Sequence, residues 1–247
     1  MPFTFSHPAV VLPLAYLPKR WVSLTGLVAG SIAPDLEYFM RLRVYSIYSH
    51  TWAGIFWFDV PLALAIAFVF HLLVRDALIA NLPTFISQRL KWTKDMSWTE
   101  TFQKHSSIVI ASTVIGALSH VLWDGFTHEH GLFVEQLSVL SHVVQVGNLE
   151  VPLYKILQHG SSLLGALIIA YAIMQLPKGG GVATLSNKRV YWLCVVLTAL
   201  VVIIIRLGTG LDYRQYGNVI VIGIAGVLTG IVVAPAVIEA LKVSSCE

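Results

Sequence analysis

The stretch Gly116-Ala-Leu-Ser-His120-Val-Leu-Trp-Asp124-Gly-Phe-Thr-His128-Glu-His130 sets three imidazoles and the carboxylate of Asp124 at the end of an apolar run. His120 and Asp124 are four residues apart, so on a helix they lie one turn apart on the same face. At that spacing a helix can offer a metal ion one nitrogen and one oxygen. Upstream, His7, Asp35 and His50 add two more imidazoles and a second carboxylate. Ionisable groups at membrane depth cost about 2.5 kcal/mol or more each, and persist mainly when paired or functional. The set therefore reads as a metal site. The competing reading is a His–Asp hydrogen-bond pair that ties two helices together.

The donor types narrow the chemistry. Imidazoles with carboxylates and no thiolate suit zinc, manganese or iron, whereas all-oxygen shells suit magnesium or calcium. Such sites clamp a phosphoryl oxygen and lower the pKa of a bound water. Other constellations are weaker. Ser161 and Ser162 lack the context of a nucleophile elbow, and Gly179-Gly180-Gly181 lacks the Lys and Ser/Thr of a phosphate loop. His71 and His105 read as single packing histidines, and His142 sits among valines with no partner at metal spacing. His130 and His159 remain further candidates for the site.

The elements that must position these residues are apolar. The chain has 247 residues, of which 56% are hydrophobic and 12% charged, with a mean hydropathy of +0.75. Soluble domains carry roughly 25% charged residues, so composition points to an integral membrane protein. A net charge of only +3, with the cations scattered between apolar runs, gives nucleic-acid binding no support. Cys194 and Cys246 lie far apart and have no metal-ligand spacing. Met1-Pro-Phe-Thr-Phe-Ser-His7 has no basic n-region and does not read as a signal peptide.

Five stretches approach the ~20 residues needed to cross a bilayer: Trp52–Val74, Ile108–Trp123, Ser161–Leu176, Tyr191–Ile205 and Val219–Leu241. Before them, Ser6 and Pro8 read as a helix start, and Gly26 and Gly30, four apart, suit close approach to a neighbouring helix. Pro34 suits the first position of a new helix, with Asp35 in its electropositive first turn. Leu78–Leu90 could lie along the membrane surface as an amphipathic helix. The 124–159 stretch is mixed, and the three glycines after Lys178 read as a loop. The fold class is therefore an all-α polytopic membrane bundle with about five spans and an N-terminal helical region. Residues 1–177 would hold the metal-site region, and residues 178–247 a C-terminal pair of spans.

Charge gives the orientation. The 75–107 and 178–189 connections and the tail hold nine Lys or Arg, against Lys155, Arg206 and Arg214 in the opposite loops. By the positive-inside rule the first set is cytoplasmic and the cluster faces outward. Lys19, Arg20, Arg41 and Arg43 run against this. All candidate ligands share one side if the first 49 residues make no net crossing.

The ordered set His7, Asp35, His50, His120-x3-Asp124 and His128 or His130 also carries a resemblance. Phe3-Thr-Phe-Ser-His7-Pro8, Gly30-Ser-Ile-Ala-Pro34-Asp35, Ser119-His120-x3-Asp124-x3-His128 and Leu157-Gln158-His159-Gly-Ser161-Ser162 resemble a bacterial membrane family classed only as a domain of unknown function, the four-one-eight-four type. That family is similar to inner-membrane metal-dependent hydrolases. More distantly it resembles the zinc-dependent phospholipase C and P1 nuclease fold, a helical bundle holding three zinc ions. The resemblance implies that His7, Asp35, His50, His120 and Asp124 are metal ligands, with His128 or His130 next. The four-residue spacing favours His128. It also implies Asp35 as the bridging ligand or water-activating base. The chain departs from the pattern in two places. No His-x3-Glu follows, since Val146 stands four after His142 and Leu163 four after His159, and the chain begins Met1-Pro2. One or two zinc ions fit this better than three.

These readings lead to a bacterial inner-membrane, metal-dependent hydrolase with its site on the extracytoplasmic side. It would act on a phosphoester, in a lipid or beside one, with membrane lipid as partner and no nucleic acid. The alternative is a non-catalytic membrane protein with a structural metal or His–Asp cluster. A metal or proton transporter is the weakest reading, because the polar residues gather at one surface.

Overall fold

The computed structural model describes residues 3–179, 188–210 and 214–244. The chain is an all-α bundle. After a 3₁₀ turn at Thr4–Ser6 come α1 (Pro8–Val11) and a second 3₁₀ turn (Leu12–Tyr16), then α2 (Leu24–Arg41). α3 runs from Trp52 to Asn81 through two π-helical turns. It is followed by α4 (Thr84–Leu90), α5 (Trp98–Thr127) and α6 (Leu132–Gln136). A hairpin of β1 (Val143–Val146) and β2 (Leu149–Pro152) leads into α7 (Leu153–Gln175), α8 (Lys188–Gly208) and α9 (Tyr216–Ser244). Among the described residues α3, α5, α7, α8 and α9 are long and apolar enough to cross a bilayer. We read the chain as an integral membrane protein.

The five spans foreseen from hydropathy are all present, and each helix is longer than its apolar run. Hydrophobicity marks the lipid-buried length, whereas backbone hydrogen bonding carries a helix on until a breaker stops it. α3 thus continues through Arg75 to Asn81 before Pro83. Leu78–Leu90 is accordingly no single surface helix: residues 78–81 finish α3, and α4 starts after the extended Leu82-Pro83 pair. Pro34 does not open a new helix either. It lies inside α2, where a proline forfeits the hydrogen bond to the carbonyl four residues back. α2 continues because its small-residue face is packed along α5, as described below. Ser6 caps nothing, its hydroxyl being used elsewhere. The mixed 124–159 stretch hides the hairpin, which turns at Gly147, φ +62°, where a two-residue turn calls for glycine. Gly180, Gly181, Cys246 and the middle of the Arg206–Asn218 link lie outside the described residues.

The chain forms two compact units. One comprises Met1–Asp35, Tyr48–Leu64 and His105–Ala172; the other comprises Leu36–Ile47, Ala65–Lys104 and Ile173–Glu247. In the second, Gly226 and Gly230 let α9 lie against Ala199 and Val195 of α8. There Trp192 Nε1 donates to the Asn81 carbonyl at 3.0 Å, and His71 stacks on Trp98. All the clustered histidines and aspartates belong to the first unit.

Candidate metal centre

The first unit is built on a close crossing of α2 and α5. A Cβ at Gly26 would lie 2.6 Å from the Val109 carbonyl oxygen, and one at Gly30 would run into the Thr113 carbonyl. On the other side, Gly116 meets the Leu27 carbonyl in the same way. Backbones this close bring Asp35, near the end of α2, opposite His120 and Asp124 on α5. The crossing also orients His120. Its Nδ1 donates to the buried Ser31 carbonyl at 2.7 Å, which fixes the tautomer and turns Nε2 toward the two carboxylates. A backbone carbonyl in that role is a common outer-shell partner of ligating histidines.

His7 and His50 reach the same point from separate segments. The N-terminal turn is held on α7, with Phe3 N donating to Ser162 Oγ at 2.9 Å and Ser6 Oγ to the Ser162 carbonyl at 2.7 Å. Gly165 leaves room for Ser6 to pass. The turn delivers His7 face to face with His120, ring centroids 3.7 Å apart, and lets Thr4 Oγ1 donate to Asp35 Oδ2 at 2.5 Å. His50 ends the 42–51 connection with φ +60°, a left-handed conformation that costs a non-glycine residue about 1 kcal/mol or more. Its Nδ1 lies 2.9 Å from Ser49 Oγ. Directly after it, Thr51 caps α3 by accepting from Gly54 N. Strain at this position is the kind that gathers at functional sites.

The separations define a shape. His50 Nε2 lies 3.4 Å from Asp35 Oδ1 and 3.4 Å from Asp124 Oδ2. His120 Nε2 lies 3.5 Å from Asp35 Oδ1 and 3.4 Å from Asp124 Oδ2. Ligands about 2.0–2.2 Å from a tetrahedral ion are about 3.3–3.6 Å apart, whereas cis ligands of an octahedral ion at ~2.1 Å are ~3.0 Å apart. These four contacts match tetrahedral edges. The four residues together form a buried or half-buried group able to hold a metal ion. The second oxygen of Asp124 faces elsewhere: Oδ1 is 3.5 Å from His7 Nε2 and 3.6 Å from His128 Nδ1.

At 3.4–3.6 Å these contacts are longer than ordinary N–H···O hydrogen bonds. His7 Nδ1 and Nε2, Asp35 Oδ1, His120 Nε2 and Asp124 Oδ1 are buried and make none. Leaving so many buried polar atoms unsatisfied at one point is costly, and native interiors avoid it. A cation at the centre of the group satisfies Asp35 Oδ1 and His120 Nε2 together, so these residues fit a metal.

Outside the spans, burial competes with the cluster's own charges. Burial, with the neighbouring His120 next, holds His7 down to about 3, so its ring is neutral at ordinary pH. Burial would raise Asp35, but the charge of His120 and the close approach of His120 and His50 together hold the carboxyl below its usual range. Burial would lower His50, yet its carboxylate neighbours Asp124 and Asp35 raise it. Burial lowers His128 despite the pull of Asp124.

The remaining histidines separate cleanly. His128 directly follows α5, its N–H bonded to the Asp124 carbonyl at 3.1 Å, with one-third of its side chain exposed, and its Nε2 lies 3.3 Å from Gln158 Nε2 of α7. His130 points away, 88% exposed and 3.8 Å from Glu135. His142 and His159 are exposed. Sequence reasoning overlooked Thr4, Ser31, Gln158 and Ser162 as supports of the centre. Gln158 and Ser162 stand in a polar run at the head of an apolar helix, which is a usable signal; a carbonyl such as that of Ser31 carries none.

Residues 1–236 match the family model described as "Domain of unknown function (DUF4184)". The chain belongs to that family. The match takes in every residue of the centre and four of the five apolar helices in full. No curated protein and no solved structure matches the chain. DUF4184 carries no activity in its description, so function rests on the site itself.

Proposed function

We propose that this protein is a membrane-bound, metal-dependent hydrolase that cleaves a phosphoester at the membrane surface. The observation that carries the reading is the set of four N···O separations of 3.4–3.5 Å joining His50 and His120 to Asp35 and Asp124. Zinc is the metal we infer from two imidazoles, two carboxylates and tetrahedral spacing. Four protein donors close that position. A second ion would be held by Asp124 Oδ1, His7 and His128, three donors that would leave a place open. Bound ions in such a pair polarise a phosphoryl oxygen and lower the pKa of a water.

The residues divide the remaining work. Asp124 joins the two positions through its two oxygens. Thr4 holds Asp35 Oδ2, and Oδ1 is the oxygen offered to the first position, so Asp35 would serve there as a ligand. Gln158 orients His128, whose partial exposure gives the open position access to solvent. Tyr48, Trp52, Phe56 and Trp57, beside His50, are all exposed, as expected of an aromatic belt at headgroup level. This supports a lipid, or a molecule lying among lipids, as substrate.

Charge supports an outward-facing site in a bacterial inner membrane. Ser23 N is bonded to Ser112 Oγ, and Ser112 is about 18 Å along α5 from Asp124. Lys19 and Arg20, just before Ser23, are then counted with the cytoplasmic cations, while Arg41 and Arg43 still run against this orientation. A second reading, a structural metal without catalysis, is favoured by the closed four-donor position alone. Metal analysis of protein in lipid nanodiscs, with a phosphodiester and phospholipid panel, tests both. Turnover that needs metal and disappears in Asp35→Ala supports the hydrolase. Bound metal with no turnover supports the structural reading, and protein purified without metal overturns both.

A further inference from the structure

Away from the metal centre, the connection between α5 and α7 carries a hairpin whose two faces differ in chemistry. β1 and β2 pair antiparallel, with Val143 opposite Pro152, Val144 opposite Val151, Gln145 opposite Glu150 and Val146 opposite Leu149. Side chains alternate along a strand, so Val144, Val146, Leu149 and Val151 share one face. The other face holds Gln145 and Glu150, joined by Gln145 Nε2 donating to Glu150 Oε1 at 3.3 Å, with Val143 and Pro152 at its base. The first face is wholly apolar. Val144 and Val151 at its base are half-buried, whereas Val146 is 52% and Leu149 67% exposed at the tip.

An isolated two-stranded hairpin is marginally stable in water, and an apolar tip makes it less suited to water still. The route of the chain says what covers it. Pro152 is followed at once by Leu153, the first residue of a helix able to cross a bilayer. A four-residue strand reaches about 13 Å, and the headgroup layer is about 5–8 Å deep on each side. The hairpin is thus tethered at the interface, and exposed Lys155 in the first turn of α7 marks the same level with a cation.

We infer that the Val144–Val146–Leu149–Val151 face lies against the phospholipid bilayer and inserts its tip among the lipids, on the side where α5 ends. Gln145 and Glu150 then face water. The hairpin is a lipid-docking element that owes nothing to the metal.

The test uses full-length protein with Cys194→Ala and Cys246→Ser, carrying either Leu149→Cys or Glu150→Cys labelled with the environment-sensitive dye NBD. Both sites are exposed, so labelling leaves the core intact. The protein is placed in nanodiscs of phosphatidylcholine and phosphatidylglycerol. Label at 149 should emit blue-shifted from label at 150 and be quenched by lipids bearing a nitroxide near the headgroup. Label at 150 should be quenched by aqueous iodide instead. Equal iodide quenching at both positions overturns the inference. So does a blue shift at 149 without nitroxide quenching, which would mean that protein, such as a second copy of the chain, covers the face.

Discussion

Replacing Gly30 by alanine should weaken metal binding without touching a single ligand. The new Cβ would press on the Thr113 carbonyl, whose carbon and Cα lie 2.9 and 3.0 Å from its position. Ordinary carbon contacts are about 3.5–4.0 Å, so α2 must retreat from α5 by about 1 Å. Overpacking of this kind costs about 1–3 kcal/mol of stability. The larger effect falls on the site. Asp35 rides on α2 and His120 on α5, so their 3.5 Å contact opens to about 4.5 Å, too wide for a tetrahedral edge. A displacement near 1 Å can cost about 100-fold in a function that needs exact placement, or about 2.7 kcal/mol. Competition against a fluorescent zinc chelator in nanodiscs measures it, beside Gly160→Ala, where a Cβ meets nothing within 4 Å. Gly30→Ala that stays folded and holds zinc as tightly as wild type would refute the view that the helix crossing sets the site.

Thr4→Val removes the hydroxyl that donates to Asp35 Oδ2 and should lower zinc affinity about 10–100-fold; unchanged affinity in the chelator assay would deny Thr4 that role. His128→Ala should reduce bound metal from two ions to one by elemental analysis, while exposed His130→Ala should change nothing. The opposite pattern would remove the second position. Zinc at roughly 1,000 times its dissociation constant should stabilise the folded protein by about 4 kcal/mol, read as a higher melting temperature. Asp124→Ala, which withdraws an oxygen from both positions, should lose most of that gain; a full gain would place the metal elsewhere.

The two halves of the problem were legible to different degrees. All five spans could be read from hydropathy, because lipid forces each to be apolar over its whole depth. The His–Asp cluster could be read because histidine and aspartate at the end of such a run are expensive. Pro34 misled, since its local cost is real and only the packing of Gly26 and Gly30 on α5 outweighs it. The hairpin escaped because Val143-Val-Gln-Val-Gly147-Asn-Leu-Glu-Val151 is a brief alternating pattern inside a long mixed connection. The four-residue spacing favoured His128 over His130, and α5 does run on past Gly125, to Thr127.

Composition and spacing alone thus determined an all-α membrane protein with His120 and Asp124 on one helical face, because helix geometry fixes neighbours four apart. Tertiary structure decided which distant residues meet them. The glycine-lined approach of α2 to α5 brings in Asp35, and Ser162 on α7 seats the turn that carries His7. The left-handed backbone at His50 aims the fourth donor. Contacts between segments dozens of residues apart depend on how helices cross and where loops return, and local periodicity carries no record of either.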